Sequence, residues 1–165
     1  MKNTRPLIFD TTYILPLFGI KINELKDFNN VSKTLWSKGL KGHKIYLPTT
    51  CLLEVLYKLN GEYRKSNDII VLNRYSIALP SILSSKVVEL FNPLLNPEAT
   101  RLANGIRHAG HSDLLDCLIA ATAVALKGIF VSEDFELSDI MKKNPETKDT
   151  PIWTWQDIIK LIPSE

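Results

Sequence analysis

Residues 112–126 read Ser-Asp-Leu-Leu-Asp-Cys-Leu-Ile-Ala-Ala-Thr-Ala-Val-Ala-Leu, the most apolar stretch of the chain. Ten uncharged residues follow Asp116, a pattern typical of a buried helix. We expect His111-Ser112 to open this helix and Gly128 to lie just beyond its end. Asp116 would then lie in the first turn, where the helix dipole favours an acid. The acid is therefore either a helix-stabilising charge or part of a site.

On both sides of this helix, short apolar segments alternate with segments of helical periodicity. This alternation predicts an α/β domain with a mainly parallel central sheet. Asn60-Gly61 and Pro80 are expected to end two of the helices, and Arg64-Lys65 with Asn67-Asp68 to form a connector. The predicted strands are residues 6–10, 44–47, 86–91, 129–132 and 152–155. The predicted helices are residues 24–37, 68–79, 97–107, 111–126 and 156–162. A further predicted helix is capped by Thr49 or Thr50 and runs to residue 59.

Composition narrows the class of protein. A length of 165 residues predicts one domain spanning residues 1–165. The chain is 45% hydrophobic and 23% charged, which excludes a disordered chain, a collagen and a disulfide scaffold. A net charge of +2 neither indicates nor excludes a nucleic-acid partner. Cys51 and Cys117 form no C-x-x-C pair, so we expect buried, reduced thiols. No segment is long enough to span a membrane and the N-terminal apolar run is too short for a signal peptide, so we expect a cytoplasmic protein.

Four acids stand in apolar surroundings. Asp10 and Asp134 follow predicted strands, while Glu54 and Asp116 lie in the first two turns of predicted helices. Each alone could be a cap, a charge at a helix dipole or a solvent-facing side chain. Together they fall on the carboxyl edge of the sheet, where α/β folds bind ligands. No matching set of basic residues accompanies them, so a divalent cation would relieve their repulsion. Oxygen ligands favour Mg²⁺ or Mn²⁺ over zinc.

Five segments resemble, in order, the motifs of the PIN-domain ribonucleases. The most specific is Asp-Cys-Leu-Ile-Ala-Ala-Thr-Ala at residues 116–123. The segments cover nearly the whole chain, and the resemblance implies a PIN-like three-layer α/β/α fold. The other four are Ile-Phe-Asp-Thr-Thr at 8–12, Pro-Thr-Thr-Cys-Leu-Leu-Glu-Val at 48–55, Val-Ser-Glu-Asp-Phe at 131–135 and Trp-Thr-Trp-Gln at 153–156.

The same resemblance implies the roles of individual side chains. It makes the four acids the catalytic and metal-binding cluster, with Thr12 and Ser132 supporting them through hydrogen bonds. Asp113 is a helix cap or an accessory acid, and Glu133 could replace Asp134 as a ligand. Three basic residues just before the Asp116 helix could hold substrate phosphates or form a solvated loop: Arg107, His108 and His111.

The resemblance implies an endoribonuclease that depends on Mg²⁺ or Mn²⁺. Asp10, Asp116 and Asp134 would hold one or two ions, and Glu54 would bind an ion or orient the attacking water. Hydrolysis would leave 5′-phosphate and 3′-hydroxyl ends. Single-domain chains of this kind are commonly VapC-type toxins, held inactive by an antitoxin whose peptide occupies the acidic groove. A homodimer is also expected, with residues 24–37 and 68–79 as candidate contact helices.

Other functions fit the sequence less well. The rival hypothesis is a PIN fold that binds RNA or protein without cutting, but loss of an acid usually marks that state and all four acids are present. A different Mg²⁺ phosphohydrolase is a third hypothesis, although Asp10-Thr-Thr lacks the second acid of a D-x-D motif. His108 and His111 lack a third His or a Cys for zinc, and no nucleophile elbow surrounds Ser112.

Overall fold

A computed structural model describes residues 5–162. Residues 1–4 and 163–165, which the single-domain prediction includes, lie outside the described part. The described residues form a five-stranded sheet in the order β3-β2-β1-β4-β5, and every strand pair is parallel. The predicted three-layer α/β/α fold is confirmed. The strands are β1 Leu7–Phe9, β2 Ile45–Pro48, β3 Val88–Phe91, β4 Ile129–Val131 and β5 Ile152–Trp153.

Seven α-helices and three short 3₁₀ helices accompany the sheet in the described part of the chain. The 3₁₀ helices are Thr11–Tyr13, Leu15–Phe18 and Pro93–Leu95. The α-helices are α1 Phe28–Lys38, α2 Thr49–Ser66, α3 Ile69–Leu83, α4 Pro97–His108, α5 Leu114–Ala125, α6 Phe135–Lys143 and α7 Trp155–Ile159.

The strand order reverses beside β1. From β1 the chain adds β2 and β3 on one side, and then returns to place β4 and β5 on the other. Phe9 pairs with Val131, and the backbone N–H of Asp10 donates to the Val131 carbonyl at 3.0 Å. In open α/β sheets, the carboxyl ends of the strands at such a reversal border a crevice that binds ligands.

The core explains the apolar sequence of α5. All three residues of β1 are fully buried, and α5 packs against β1, α2 and α4. Residues 117–123 of α5 are all buried, so this helix is apolar around most of its circumference because it contacts protein on several sides. The free thiols of Cys51 and Cys117 are buried here, as the sequence predicts.

Two helix boundaries differ from the prediction, and a residue with a left-handed backbone conformation lies at each of them. The first helix begins at Phe28 rather than residue 24, because Asp27 before it has a φ of 56°. The second continues through Asn60-Gly61 to Ser66 and ends where Asn67 adopts a φ of 54°. A glycine inside a helix costs only about 1 kcal/mol relative to alanine, which packing of the helix offsets. Arg64 and Lys65 therefore belong to α2 and not to a connector.

Three further helix boundaries also differ from the sequence prediction. Pro48 occupies the N-cap of α2, so neither Thr49 nor Thr50 caps it. Asp68 caps α3 by accepting a hydrogen bond from the Ile70 N–H at 3.0 Å. Pro80 lies inside α3 and does not end it, since the helix continues to Leu83.

The carboxyl-terminal third contains one helix that the sequence prediction missed. Asp134 caps α6, in which Leu137 and Met141 are buried. The apolar helix α5 begins at Leu114, after the cap Asp113, and not at residue 111. The last strand and helix are shorter than predicted, with α7 beginning at Trp155 and ending at Ile159.

Candidate metal-binding site at the carboxyl edge

Asp10 occupies the end of the central strand. Its Oδ1 accepts a hydrogen bond from the Thr11 N–H at 2.6 Å, and its Oδ2 accepts one from the Ser132 hydroxyl at 2.8 Å. Only 9% of the residue is exposed. Burial disfavours the charged form and raises the pKa of Asp10 from 3.8 to about 6, although the Ser132 hydrogen bond opposes the shift. The carboxylate is therefore fixed in position but poorly solvated.

Glu54 reaches the same edge from the second turn of α2. The Thr11 hydroxyl donates a close hydrogen bond to Glu54 Oε2. Burial, followed by repulsion from Asp10 and Asp116, raises the pKa of Glu54 from 4.5 to about 7. The Thr11 hydrogen bond, which has a larger effect than either repulsion, and the weaker effect of the Lys58 charge oppose this rise in the pKa of Glu54.

Asp116 lies in the first turn of α5. Its Oδ2 is 3.1 Å from His111 Nε2, and its backbone N–H donates to Asp113 Oδ1 at 3.4 Å. Burial raises the pKa of Asp116, and the His111 hydrogen bond opposes this. Asp113 itself is an exposed N-cap that also accepts from the Leu115 N–H at 2.8 Å.

Asp134 is held by the turn between β4 and α6. Its Oδ1 accepts from the Leu137 N–H at 2.8 Å, and its own N–H donates to the Ser132 hydroxyl oxygen at 3.0 Å. Its Oδ2 lies 4.0 Å from His111 Nε2. Ser132 thus connects Asp134 to Asp10.

The four acids meet in two overlapping sets of possible ligands. One set is Asp10, Glu54 and Asp116, and the other is His111, Asp116 and Asp134, each with its ligand atoms within 4.8 Å of one another. Within residues 5–162, no lysine or arginine forms an ion pair with any of these four acids. Burial raises the pKa values of Asp10, Glu54 and Asp116, and carboxylates without a lysine or arginine partner are a donor set that fits a divalent cation.

Other predicted site residues lie outside these hydrogen bonds. Thr12 is half-buried, and in the described chain it is the hydroxyl of Thr11 that contacts an acid. Arg107 and His108 are exposed in the last turn of α4, and no hydrogen bond or ion pair joins them to the four acids in the part of the chain that is described. His111, predicted as a phosphate contact, is buried with 6% exposure and faces Asp116.

Glu133 supports the neighbouring closing segment. Its Oε1 accepts from the Tyr13 hydroxyl at 2.6 Å and from the Trp155 N–H at 2.5 Å. Burial, followed by the hydrogen bond with Glu133, raises the pKa of Tyr13. Glu133 is in neither ligand set, whereas Asp134 is in one of them.

The fold and this acidic edge agree with the comparisons to known proteins. The PIN domain model matches residues 7–143, and the chain belongs to the PIN domain family. No curated protein matches the sequence. PIN domains are generally nucleases and typically depend on a divalent metal.

Two solved structures share the fold. The structure of VapBC2 from Rickettsia felis bound to a DNA fragment from their promoter matches with a TM-score of 0.57 and 17% identity, covering 90% of this chain and 98% of that one. The structure of FitAB bound to an IR36 DNA fragment matches with a TM-score of 0.57 and 14% identity, covering 90% and 94%. Within the described residues, no helix is long and apolar enough to cross a membrane.

Proposed function

We propose that this chain is a divalent-metal-dependent endoribonuclease and the toxin of a toxin–antitoxin pair. One observation carries the nuclease proposal: four carboxylates from four separate segments converge beside β1. Within residues 5–162, no lysine or arginine forms an ion pair with them. Such a cluster repels bare phosphate and is unfavourable for folding, and both costs disappear when a divalent cation binds. Membership of the PIN domain family supports the same activity.

Each acid has a role that its surroundings support. Asp10, Glu54 and Asp116 would hold a Mg²⁺ or Mn²⁺ ion, with Asp134 completing the acidic edge. When bound, the ion would lower the pKa of water and neutralise charge on the phosphate oxygens. Glu54, whose carboxylate is positioned by the Thr11 hydroxyl, would either bind the ion or orient the attacking water.

Two hydroxyls would keep this geometry. Ser132 fixes Asp10, and Thr11 fixes Glu54, so neither carboxylate has to reorganise during the reaction. In-line attack of water on phosphorus would break the bond to the 3′ oxygen and leave 5′-phosphate and 3′-hydroxyl ends. This chemistry does not use the 2′-hydroxyl, so the choice of RNA rests on the family resemblance.

The toxin role comes from the resemblance to VapC-type chains and the fold shared with VapBC2 and FitAB. The proposed partner is an antitoxin whose peptide, carrying a basic residue, occupies the acidic edge and blocks the metal site. The proposed location is the cytoplasm, where the RNA is. Expression of the wild-type chain in a bacterial host should arrest growth, and Asp116→Asn should relieve the arrest.

A second copy of the chain is the other proposed partner. Helix α3, within the region that the sequence marks for dimer contacts, exposes Ile69, Ile70 and Ile77 to 59%, 63% and 74%. Several large apolar side chains exposed on one helix are typical of a protein contact. Light scattering after size exclusion should give twice the chain mass of 18.7 kDa, and Ile77→Glu should shift it towards the monomer.

The direct test is cleavage of labelled single-stranded RNA with Mg²⁺ or Mn²⁺. Wild type should cut, and EDTA or Asp116→Asn should abolish cutting. The matched control is Asp139→Asn, which removes an exposed acid from α6 that pairs only with Lys143 in the described structure. The control should cut like wild type.

The outcomes separate the candidate functions. Metal-dependent cutting that Asp116→Asn abolishes supports the proposal. If the wild type binds no Mn²⁺ and is as inert as Asp116→Asn on varied RNAs, the nuclease proposal is wrong. RNA or protein binding without cutting would then favour the binding-module hypothesis.

A further inference from the structure

The second ligand set contains a nitrogen donor, unlike the all-oxygen set of Asp10, Glu54 and Asp116. His111 has its Nε2 atom 3.1 Å from Asp116 Oδ2 and 4.0 Å from Asp134 Oδ2. The ring is buried, with only 6% of the residue exposed. A buried imidazole directed between two carboxylates is an arrangement that a metal ion can occupy, and that sequence spacing alone does not reveal.

The distances fit one coordination shell. In an octahedral site with bonds of roughly 2.1 Å, neighbouring donor atoms lie about 3 Å apart and opposite ones about 4.2 Å apart. The separation from His111 Nε2 to Asp116 matches a neighbouring pair, and that to Asp134 is close to an opposite pair. Small side-chain adjustments would therefore suffice to bind an ion.

Each ligand is positioned by the segment of the chain that carries it. The cap hydrogen bond to Leu137 occupies Oδ1 of Asp134, so its Oδ2 is the oxygen that faces the histidine. Asp116 is fixed in the first turn of α5. His111 follows Gly110, whose φ of 129° is a conformation that other residues rarely adopt. The site is therefore largely formed before metal binds.

The Nδ1 atom of His111 restricts which metal ions can bind at this site. It is buried and has no hydrogen-bond partner among the described residues. A metal at Nε2 requires the ring proton on Nδ1, and metal-binding histidines usually donate that proton to an acceptor. Without an acceptor the imidazole is a weaker ligand, so an ion with little affinity for nitrogen will not bind here.

We propose that His111, Asp116 and Asp134 form a second metal site that takes Mn²⁺ or another divalent transition metal in preference to Mg²⁺. Imidazole nitrogen is a good ligand for transition metals, whereas Mg²⁺ prefers oxygen donors and keeps its water. Asp116 belongs to both sets and would be shared between the two ions. The role of this site in cleavage rests on the proposed nuclease function, but metal binding by itself does not.

The test is titration of the metal-free protein with Mn²⁺ and with Mg²⁺ by calorimetry, together with pulsed electron paramagnetic resonance of bound Mn²⁺. Wild type should bind two Mn²⁺ ions and one Mg²⁺ ion, with Mn²⁺ favoured at the second site by about tenfold or more. The resonance spectrum should show coupling to a nitrogen nucleus. His111→Asn should bind one ion of either metal and lose that coupling, while the control His43→Asn should match wild type.

Thermal unfolding in EDTA will show whether His111→Asn folds normally. If it does not, a second variant tests the same site. Asp134→Asn keeps a good helix cap and should also lose one Mn²⁺ ion while Mg²⁺ binding is unchanged. One ion of each metal without nitrogen coupling in wild type, or coupling that persists in His111→Asn, overturns the second site and leaves the nuclease proposal standing. Absence of binding by either metal overturns both.

Discussion

Replacing Asp10 by asparagine is expected to stabilise the metal-free protein at pH 8 and to remove its response to Mg²⁺. Asp10 is 9% exposed, and its charge is held beside three other acids. Asparagine has nearly the same shape, and its Oδ1 can still accept from the Thr11 N–H. The substitution therefore removes the buried charge while keeping most of the local packing.

The magnitude follows from the pKa of Asp10. Its rise from 3.8 to about 6 means that the folded state binds the proton more tightly than the unfolded state. The stabilisation of the folded state by protonation of Asp10 is fully present below pH 3.8 and is lost as the pH rises through 6. A shift of about 2 pKa units corresponds to about 3 kcal/mol. Because asparagine loses the hydrogen bond from Ser132 to a carboxylate, we expect Asp10→Asn to be about 1–3 kcal/mol more stable at pH 8.

Urea unfolding in EDTA at pH 4.5 and pH 8 measures this difference. The advantage of Asp10→Asn should be small at the lower pH and should grow towards pH 8. Asp139→Asn is the control, because that acid is exposed on α6 and its loss should not produce this pH dependence. Adding Mg²⁺ at about a hundred times its dissociation constant should stabilise wild type by about 2.7 kcal/mol and Asp10→Asn by much less.

Two results would refute this reasoning. The first is an Asp10→Asn variant no more stable than wild type at pH 8 without metal, since the buried charge would then cost nothing. The second is equal stabilisation of both proteins by Mg²⁺, since Asp10 would then not be a ligand. An advantage that does not change with pH would assign the effect to packing instead of charge.

Three further predictions concern the same edge of the sheet. Mn²⁺ affinity should rise about twentyfold between pH 6 and pH 8, because Asp10 and Glu54 must lose protons with pKa values of about 6 and 7. Calorimetry across this pH range measures the affinity, and a value that does not change with pH would show that these acids are not ligands. Asp134→Ala should lose about 1 kcal/mol through the missing cap of α6, whereas Asp134→Asn should not, and urea unfolding in EDTA distinguishes them. Tyr13→Phe should cost about 1.5–3 kcal/mol by removing the hydrogen bond to Glu133, and calorimetry should find Mn²⁺ affinity unchanged; a weaker affinity would contradict the purely structural role of this pair.

The sequence is informative where the pattern is long or the chemistry is unusual. The ten uncharged residues after Asp116 predict α5, and alternation of strands and helices predicts the parallel sheet. The positions of the four acids after strands or in early helical turns predict a common edge, because parallel strands share a direction. The structure brings those four side chains together.

Features set by single backbone conformations escape sequence analysis. Asp27 and Asn67 adopt left-handed conformations that mark helix boundaries, although glycine is the residue that usually indicates them. Helix α6 lies outside the predicted helices although Asp134 is a typical cap, because Leu137 and Met141 are its only two buried apolar residues and give a weak periodic pattern.

The hydrogen bonds of the site depend equally on local turns. The 3₁₀ turn after Asp10 directs the hydroxyl of Thr11, rather than that of Thr12, towards Glu54. His111 approaches Asp116 because the chain turns at Gly110, which the motif does not encode. Rotations about one or two bonds decide such contacts, and residue type alone does not fix them.

The pairing of β1 with β4 joins segments about 120 residues apart in the sequence. Directly after β4, the Ser132 hydroxyl donates a hydrogen bond to Asp10. During synthesis the amino-terminal part of the chain emerges first, so β1 must wait for β4 before its edge is complete. Long-range parallel pairing is also slow to form. A nascent chain therefore cannot assemble the full acidic edge until most of it has been translated. A ribosome making this protein is thereby shielded from its proposed activity until synthesis is nearly finished.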